Sequence, residues 1–317
     1  MPQPTILIIK PSSLGDIVHG LLVANMIREG WPKAAIHWVS GNVFAPIVRA
    51  CPVVDEVLIF QRNAGAREFM RLIREIRQHH YDYVLDFQGL VRTGLLTLCA
   101  RADKKIGRRD AREGSRYCYG QRISLPHTGR KSHAVDILAE FLPALGLPRY
   151  VAPHLPMRIP QGYTAHGPYF NPILIFPASR RPDKNWPFYP DLTIALCRNM
   201  PDNQMIWAGA ETMPCPHAHG LQNFTNLTAA TTLPELLALL AQARLVVGND
   251  SGPLHLAAAL GIPTLALFGP TDPSQYRPYP GDDRQNHVLQ APKGGFENLS
   301  ATAVLNQILK LLPKNCF

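Results

Sequence analysis

Short apolar runs alternate with longer stretches of helical period along the first half of the chain. The runs are TILII at residues 5–9, AIHWVS at 35–40, DEVLIF at 55–60 and DYVLDF at 82–87. Their length and their β-branched and aromatic content predict strands. The helical period between them is clearest over residues 16–29 and 67–79. Such alternation predicts a parallel sheet covered on both faces. Residues 149–172, RYVAPHLPMRIPQGYTAHGPYFNP, hold five prolines and little periodicity and read as a linker.

Beyond the linker the alternation restarts. Strands are predicted at ILIF (173–176), QMIWAG (204–209), RLVVG (244–248) and TLALFG (264–269), and helices at 188–198, at 234–242 and after Ser251. A last helical pattern, 301–312, carries no cue for the domain it joins. The predicted organisation is α/β: a Rossmann-like domain over residues 1–155, a linker over 156–171 and a second Rossmann-like domain over 172–317. Ligands of such sheets lie beyond the carboxyl ends of the strands, which directs attention to the turns there. Trp31, Trp38 and the Leu-rich stretch 233–240 read as packing, and His79, His80 and Tyr81 as a helix end.

Composition narrows the class. The chain has 317 residues, 46% hydrophobic and 17% charged, enough for two ordinary domains with their own cores. No apolar stretch approaches the roughly 20 residues that cross a bilayer. The N-terminus MPQPTILIIK has neither a basic leader nor a cleavage site, so a cytoplasmic protein is expected. Six cysteines without a C-x-x-C pair predict reduced thiols.

The net charge of +9 is unevenly placed. Residues 1–150 carry 21 Lys and Arg against 13 Asp and Glu, and the stretch 101–131 alone carries ten against three. A one-sided basic domain attracts polyanions: nucleic acid, anionic lipid, or a phosphorylated or carboxylated sugar.

Three turns carry candidate chemistry. In KPSSLGDIVH (10–19), Gly15 relaxes the backbone and Asp16 falls near a helix N-terminus. A carboxylate there repels phosphate, so Asp16 meets something else. It also serves as a helix cap worth about 1 kcal/mol, a role that Ser12 or Ser13 fills equally well. The turn is neither G-x-G-x-x-G nor a Walker loop, which excludes an NAD-dependent oxidoreductase built on that fingerprint. In FPASRRPDKNWP (176–187), Ser179, Arg180, Arg181 and Lys184 offer a hydroxyl and three cations to anionic oxygens. In NDSGPLHLAAAL (249–260), the N–H groups of Ser251 and Gly252 suit phosphate oxygens and Asp250 a sugar hydroxyl. Pro253 suits the first helical position, and His255 follows within that turn.

These stretches, with DFQGLVRTGLL (86–96), KSHAVD (131–136), the D-K-x-W-P of 183–187, WAGAE (207–211) and FGPTDP (268–273), run in order from residue 6 to about 273. Together they resemble glycosyltransferase family 9, and within it the enzymes that add the first heptose to the Kdo of the lipopolysaccharide inner core. The resemblance implies a GT-B fold, two Rossmann-like domains with parallel sheets facing across a cleft, and inverting transfer from ADP-heptose without metal or other cofactor. It implies an anionic Kdo-lipid A acceptor and a peripheral place at the inner face of the cytoplasmic membrane.

By the same resemblance Asp16 is the general base that deprotonates the acceptor hydroxyl. Lys184 contacts the diphosphate with help from Ser179, Glu211 bonds the ribose hydroxyls, and Asp250, Ser251 and Gly252 hold the donor sugar and phosphates with His255 close by. Two positions depart from the pattern: Arg180 replaces the second of two adjacent threonines, and Thr231 falls where a methionine packs on adenine. The acceptor side is assigned to Ser13, Gly15, Arg108, Arg112 and His133. The rival readings are a family member using another nucleotide sugar or acting later in the core, and a non-catalytic nucleic-acid-binding protein, which leaves Asp16, Glu211 and Asp250 without a purpose. The C-x-H-x-H string of Cys215, His217 and His219 reads as a loop rather than a metal site, for want of a fourth ligand.

Overall fold

The structure, a computed structural model, describes residues 3–159, 169–179, 181–215, 218, 220–281 and 284–312. The chain divides into two compact units, Met1–Arg158 and Ile159–Phe317. Residues 160–168 of the expected linker, Arg180, and two members of the C-x-H-x-H string, His217 and His219, lie outside the described residues.

The first unit runs β1 (Thr5–Ile9), α1 (Leu14–Gly30), β2 (Ala35–Gly41), α2 (Ala45–Ala50), β3 (Glu56–Phe60), α3 (Gly65–Ile76), β4 (His80–Asp86), α4 (Val91–Cys99), β5 (Arg101–Arg108), β6 (Gln121–Ile123), α5 (Ala134–Ala139) and α6 (Phe141–Ala144). Its six strands are parallel in the order β3-β2-β1-β4-β5-β6. A parallel sheet is covered on both faces, which is why TILII has no polar alternation: Ile6, Leu7, Ile8 and Ile9 are all fully buried. Helix α1 lies close on the sheet at Gly20, where an added Cβ would come within 2.9 Å of the Trp38 ring.

The second unit runs β7 (Ile173–Phe176), α7 (Tyr189–Asn199), β8 (Met205–Gly209), β9 (Phe224–Thr228), α8 (Leu233–Gln242), β10 (Leu245–Asn249), α9 (Gly252–Ala259), β11 (Thr264–Phe268), α10 (Pro273–Tyr276), β12 (Asn286–Gln290) and α11 (Ala301–Leu311). Its strands are also parallel, in the order β12-β11-β10-β7-β8-β9. The last helix joins this unit: Val304 and Ile308 enter the core formed by Trp186, Tyr189, Leu192 and Leu196.

Two expectations change. His80 and Tyr81 do not end a helix; they open β4, and Tyr81 is fully buried. The first position of α9 is Gly252, with Pro253 one residue further in.

The strand orders fix where ligands belong. In the first sheet the chain moves from β1 out through β2 and β3, then returns to the other side of β1 with β4. In the second it moves from β7 through β8 and β9, then returns with β10. The turns after β1, β7 and β10 therefore lie at topological switch points, where the flanking connections part and leave a crevice. Among the described residues no helix is long and apolar enough to cross a membrane.

Candidate active site

In the first unit the turn after β1 delivers Asp16 to the third position of α1, with Ser13 as the N-cap. Asp16 accepts hydrogen bonds from the Ser13 backbone N–H at 3.1 Å and from the Ser13 hydroxyl at 2.6 Å, closing a capping box. Lys10 Nζ lies 3.4 Å from the other carboxylate oxygen, with 4% of the Lys10 side chain exposed against 45% of Asp16. Burial alone would raise the Asp16 pKa, but the Lys10 charge and the two Ser13 hydrogen bonds outweigh it and hold the carboxyl well below the usual range. Lys10 is itself pulled down, chiefly by burial and further by Arg108, against the opposing charges of Asp16 and Asp86. The result is an oriented, ionised carboxylate open to solvent at a switch point. The helix-cap role and a proton-accepting role coexist in it.

The acceptor-side candidates surround this turn unevenly. Ser13 and Gly15 flank Asp16 in the chain. His19, one helical turn beyond Asp16, meets His133 ring to ring at 5.5 Å, and His133 N-caps α5 by accepting the Val135 N–H. Arg108 is held in a two-pronged bond by Asp110, at 2.9 and 2.8 Å, so its charge is largely spent inside the unit. Arg112 is exposed on the loop beyond β5, where its backbone N–H bonds Gly89 O. A cavity of about 460 Å³ lined by Arg109, Arg116, Arg122 and Ser124 is the more open cationic feature of this stretch.

Two polar residues here escaped the sequence reading. Lys10 closes an apolar strand, and a lone charge at the end of a buried strand was the signal. Asp86 ends β4, fully buried, and accepts the N–H groups of Gln88 and Gly89 and the Tyr119 hydroxyl. Burial pushes its pKa up against those hydrogen bonds.

In the second unit the loops after β7 and β10 meet. Lys184 Nζ bonds Asp250 Oδ2 at 2.5 Å, and both side chains are largely buried. His255 Nε2 stands 3.7 Å from the other Asp250 oxygen, and the Thr271 hydroxyl lies 3.5 Å from Oδ2. Burial would raise the Asp250 pKa, but His255 and Lys184 together bring it below the ordinary value. Ser251 caps α9 and Gly252 begins it, so the positive end of that helix opens beside the pair. Ser179 is braced by Asn185, whose side-chain oxygen receives the Ser179 N–H at 2.7 Å and lies 3.0 Å from the hydroxyl. Arg181 pairs with Asp183 on the surface.

Asn249, also missed from sequence, joins the two loops. Its side-chain oxygen accepts the Trp186 N–H and the Tyr189 hydroxyl, and its amide donates to Pro177 O. The structure thus gathers Lys184, Asp250 and His255 into one cluster with the α9 N-terminus. Glu211 is exposed beyond β8, and Thr231 immediately precedes the α8 cap Thr232, so both lie outside that cluster on turns of the same sheet edge.

A family model described as glycosyltransferase family 9 (heptosyltransferase) matches residues 69–306. This chain belongs to that family. It is 28% identical to lipopolysaccharide heptosyltransferase 1 of Escherichia coli, over 96% of this chain and 99% of the relative. Lipopolysaccharide heptosyltransferase 1 of Pseudomonas aeruginosa is 30% identical, over 84% of this chain and 79% of that one. Among solved structures, the E. coli heptosyltransferase WaaC with ADP superimposes with a TM-score of 0.82 at 26% identity, covering 97% of this chain and 99% of its own. The family 9 chain is therefore a glycosyltransferase, and its two Rossmann-like units make it a member of the GT-B class.

Proposed function

We propose that this family 9 enzyme transfers heptose with inversion from ADP-heptose to an anionic Kdo-lipid A-type acceptor, at the inner face of the cytoplasmic membrane. The observation that carries the reading is Asp16, a carboxylate kept ionised by Lys10 and Ser13 at the switch point of the basic unit. Similarity to a heptosyltransferase solved with ADP supports the donor. The excess of cations in the first unit and its arginine-lined cavity support an acidic acceptor and an anionic membrane surface.

In this mechanism the acceptor hydroxyl attacks the anomeric carbon while Asp16 takes its proton. The bond from that carbon to the diphosphate breaks, and its electron pair leaves with ADP. A strongly acidic carboxyl is a weak base, but it is never blocked by a proton, and the hydroxyl turns acidic only as the new bond forms. Charge builds on the departing diphosphate, where the α9 N-terminus and Lys184 supply compensation. An ammonium has three N–H donors and Asp250 takes one, which leaves Lys184 able to bond phosphate oxygens without abandoning its partner. Ser179 braces the same loop, Glu211 serves the ribose, and the step uses no metal.

The test is the rise in melting temperature with equal concentrations of ADP, GDP, UDP and NAD, since a ligand that binds only the folded state stabilises it by mass action. ADP should give the largest rise. A larger rise with UDP or GDP would assign a different nucleotide sugar, and no rise with any of them would end the donor reading.

A further inference from the structure

At the end of the first sheet opposite the turn that holds Asp16, the amino-terminal ends of three strands bring ligand-type side chains together. His37 lies near the start of β2, Glu56 opens β3 directly opposite it in register, and His79 stands one residue before β4. Glu56 Oε2 is 3.4 Å from His37 Nδ1 and 3.8 Å from His79 Nε2. Each residue offers one ligand atom, and these atoms all lie within 4.8 Å of one another. The two imidazole rings meet edge to face with centroids 4.8 Å apart. The heptose-transfer chemistry, placed at the carboxyl ends of the strands, makes no use of this cluster.

The spacing suits one small ion. A tetrahedral centre with bonds of about 2.0–2.1 Å holds neighbouring ligand atoms roughly 3.3 Å apart. One pair already has that separation, and the half-exposed Glu56 and His79 side chains can close the others by small rotations. His37 is buried at 7% exposure on its strand, so its ring is held in place by the sheet while the other two side chains adjust to it. The Tyr81 hydroxyl lies 3.4 Å from His37 Nδ1. With Nδ1 given to the ion its one lone pair is used, so the Tyr81 hydroxyl flanks the site without donating to that nitrogen. Glu75 and Asp55 add negative charge around the cluster without entering it.

We propose that His37, Glu56 and His79 form a zinc site, two imidazoles and a carboxylate with water in the fourth position, that ties β2, β3 and β4 together at the edge of the sheet opposite Asp16. Two imidazoles and one carboxylate are a recurrent zinc donor set, and a site on three strand ends is fixed by the sheet itself. Its role is structural: the ion joins segments of the first unit that the chain supplies about 20 residues apart, at 37, 56 and 79.

The experiment uses untagged full-length protein stripped with a chelator, and Zn²⁺ alone as the probe. Calorimetric titration should show one equivalent bound, and Zn²⁺ should raise the melting temperature. Co²⁺ in its place should give the visible absorption of a four-coordinate site. Glu56→Gln and His79→Gln, both at half-exposed positions, should each keep the metal-free melting temperature while weakening Zn²⁺ binding at least about tenfold. Absence of saturable one-to-one binding, or wild-type Zn²⁺ affinity in both variants, overturns the site. If ADP ranking fails while zinc binding holds, the donor assignment is wrong and the metal site stands.

Discussion

Lys10 Nζ lies 3.4 Å from Asp16 Oδ1 with the cation almost wholly inside the protein and the carboxylate half in solvent. The cation has little other water to turn to, so it fixes the charge state of Asp16 more firmly than a surface ion pair would. The Ser13 bonds meanwhile occupy Oδ2. One oxygen is thus assigned to the helix and the other to the buried lysine, which gives the carboxylate a single orientation.

Asp16→Asn should lower kcat by about two to four orders of magnitude and leave ADP affinity unchanged, the usual cost of losing a general base. Asparagine can still accept a Ser13 hydrogen bond, so the stability loss should stay within the roughly 1 kcal/mol of a capping interaction. Retention of near-normal turnover in steady-state kinetics would reduce Asp16 to a cap.

Lys10→Met separates charge from position. The folded-state pKa of Asp16 is depressed, so its contribution to stability is present above the ordinary carboxylate pKa and is lost as pH falls through the depressed value. Removing the cation lets that pKa rise, and the acid limb of kcat/KM should move to higher pH, while the acid-side stability supplied by Asp16 shrinks. An acid limb that stays in place would show that Lys10 does not set the ionisation of the group that limits the rate.

Lys184→Ala should weaken ADP by about tenfold or more and adenosine hardly at all, because what is lost is a charge-assisted phosphate contact. The ligand-free protein should also melt earlier, since Asp250 is left buried without its lysine partner. Equal weakening of ADP and adenosine in calorimetric titrations would move Lys184 away from the diphosphate.

The arginine-lined cavity is tested by Arg109→Gln combined with Arg122→Gln. Acceptor KM should rise at low ionic strength, with the difference from wild type fading as salt increases and donor KM unchanged. These positions are better targets than Arg108, whose neutralisation would also strand Asp110. Salt-dependent retention of DNA or RNA that the double variant abolishes would instead favour the nucleic-acid reading.

The strands most readily seen in the sequence are those buried on both faces, where selection for apolar side chains is uninterrupted: β1, β7, β10 and β11. Those missed lie toward sheet edges or half in water. β9 reads FTNLT and β12 NHVLQ, and β5 reads RADKKIGR, whose long basic side chains keep their charges wet while the backbone pairs with β4. Asp16 and Lys184 were visible because each follows a strand in a small-residue or proline-bounded turn. Lys10 and Asn249 were not, because their meaning lies in partners brought near only by folding, Asp16 across the turn and Trp186 across 63 positions. The zinc cluster was hidden for the same reason, and His79 was read only as part of a helix end.

The Trp186 indole donates to Leu299 O at 2.8 Å, spanning 113 residues, and its ring shares a core with Val304 and Ile308 of the final helix. Order of synthesis follows from this. The first sheet is complete once residue 123 is made, whereas the lysine-bearing loop lacks its anchor until residue 299 has left the ribosome. Nascent chains arrested before residue 299 should therefore resist limited proteolysis across residues 5–158 yet be cut near 183–187, and should be unable to retain ADP. Synthesis in this order assembles the base before the nucleotide grip, and a chain stopped short of residue 299 carries no anchored donor loop.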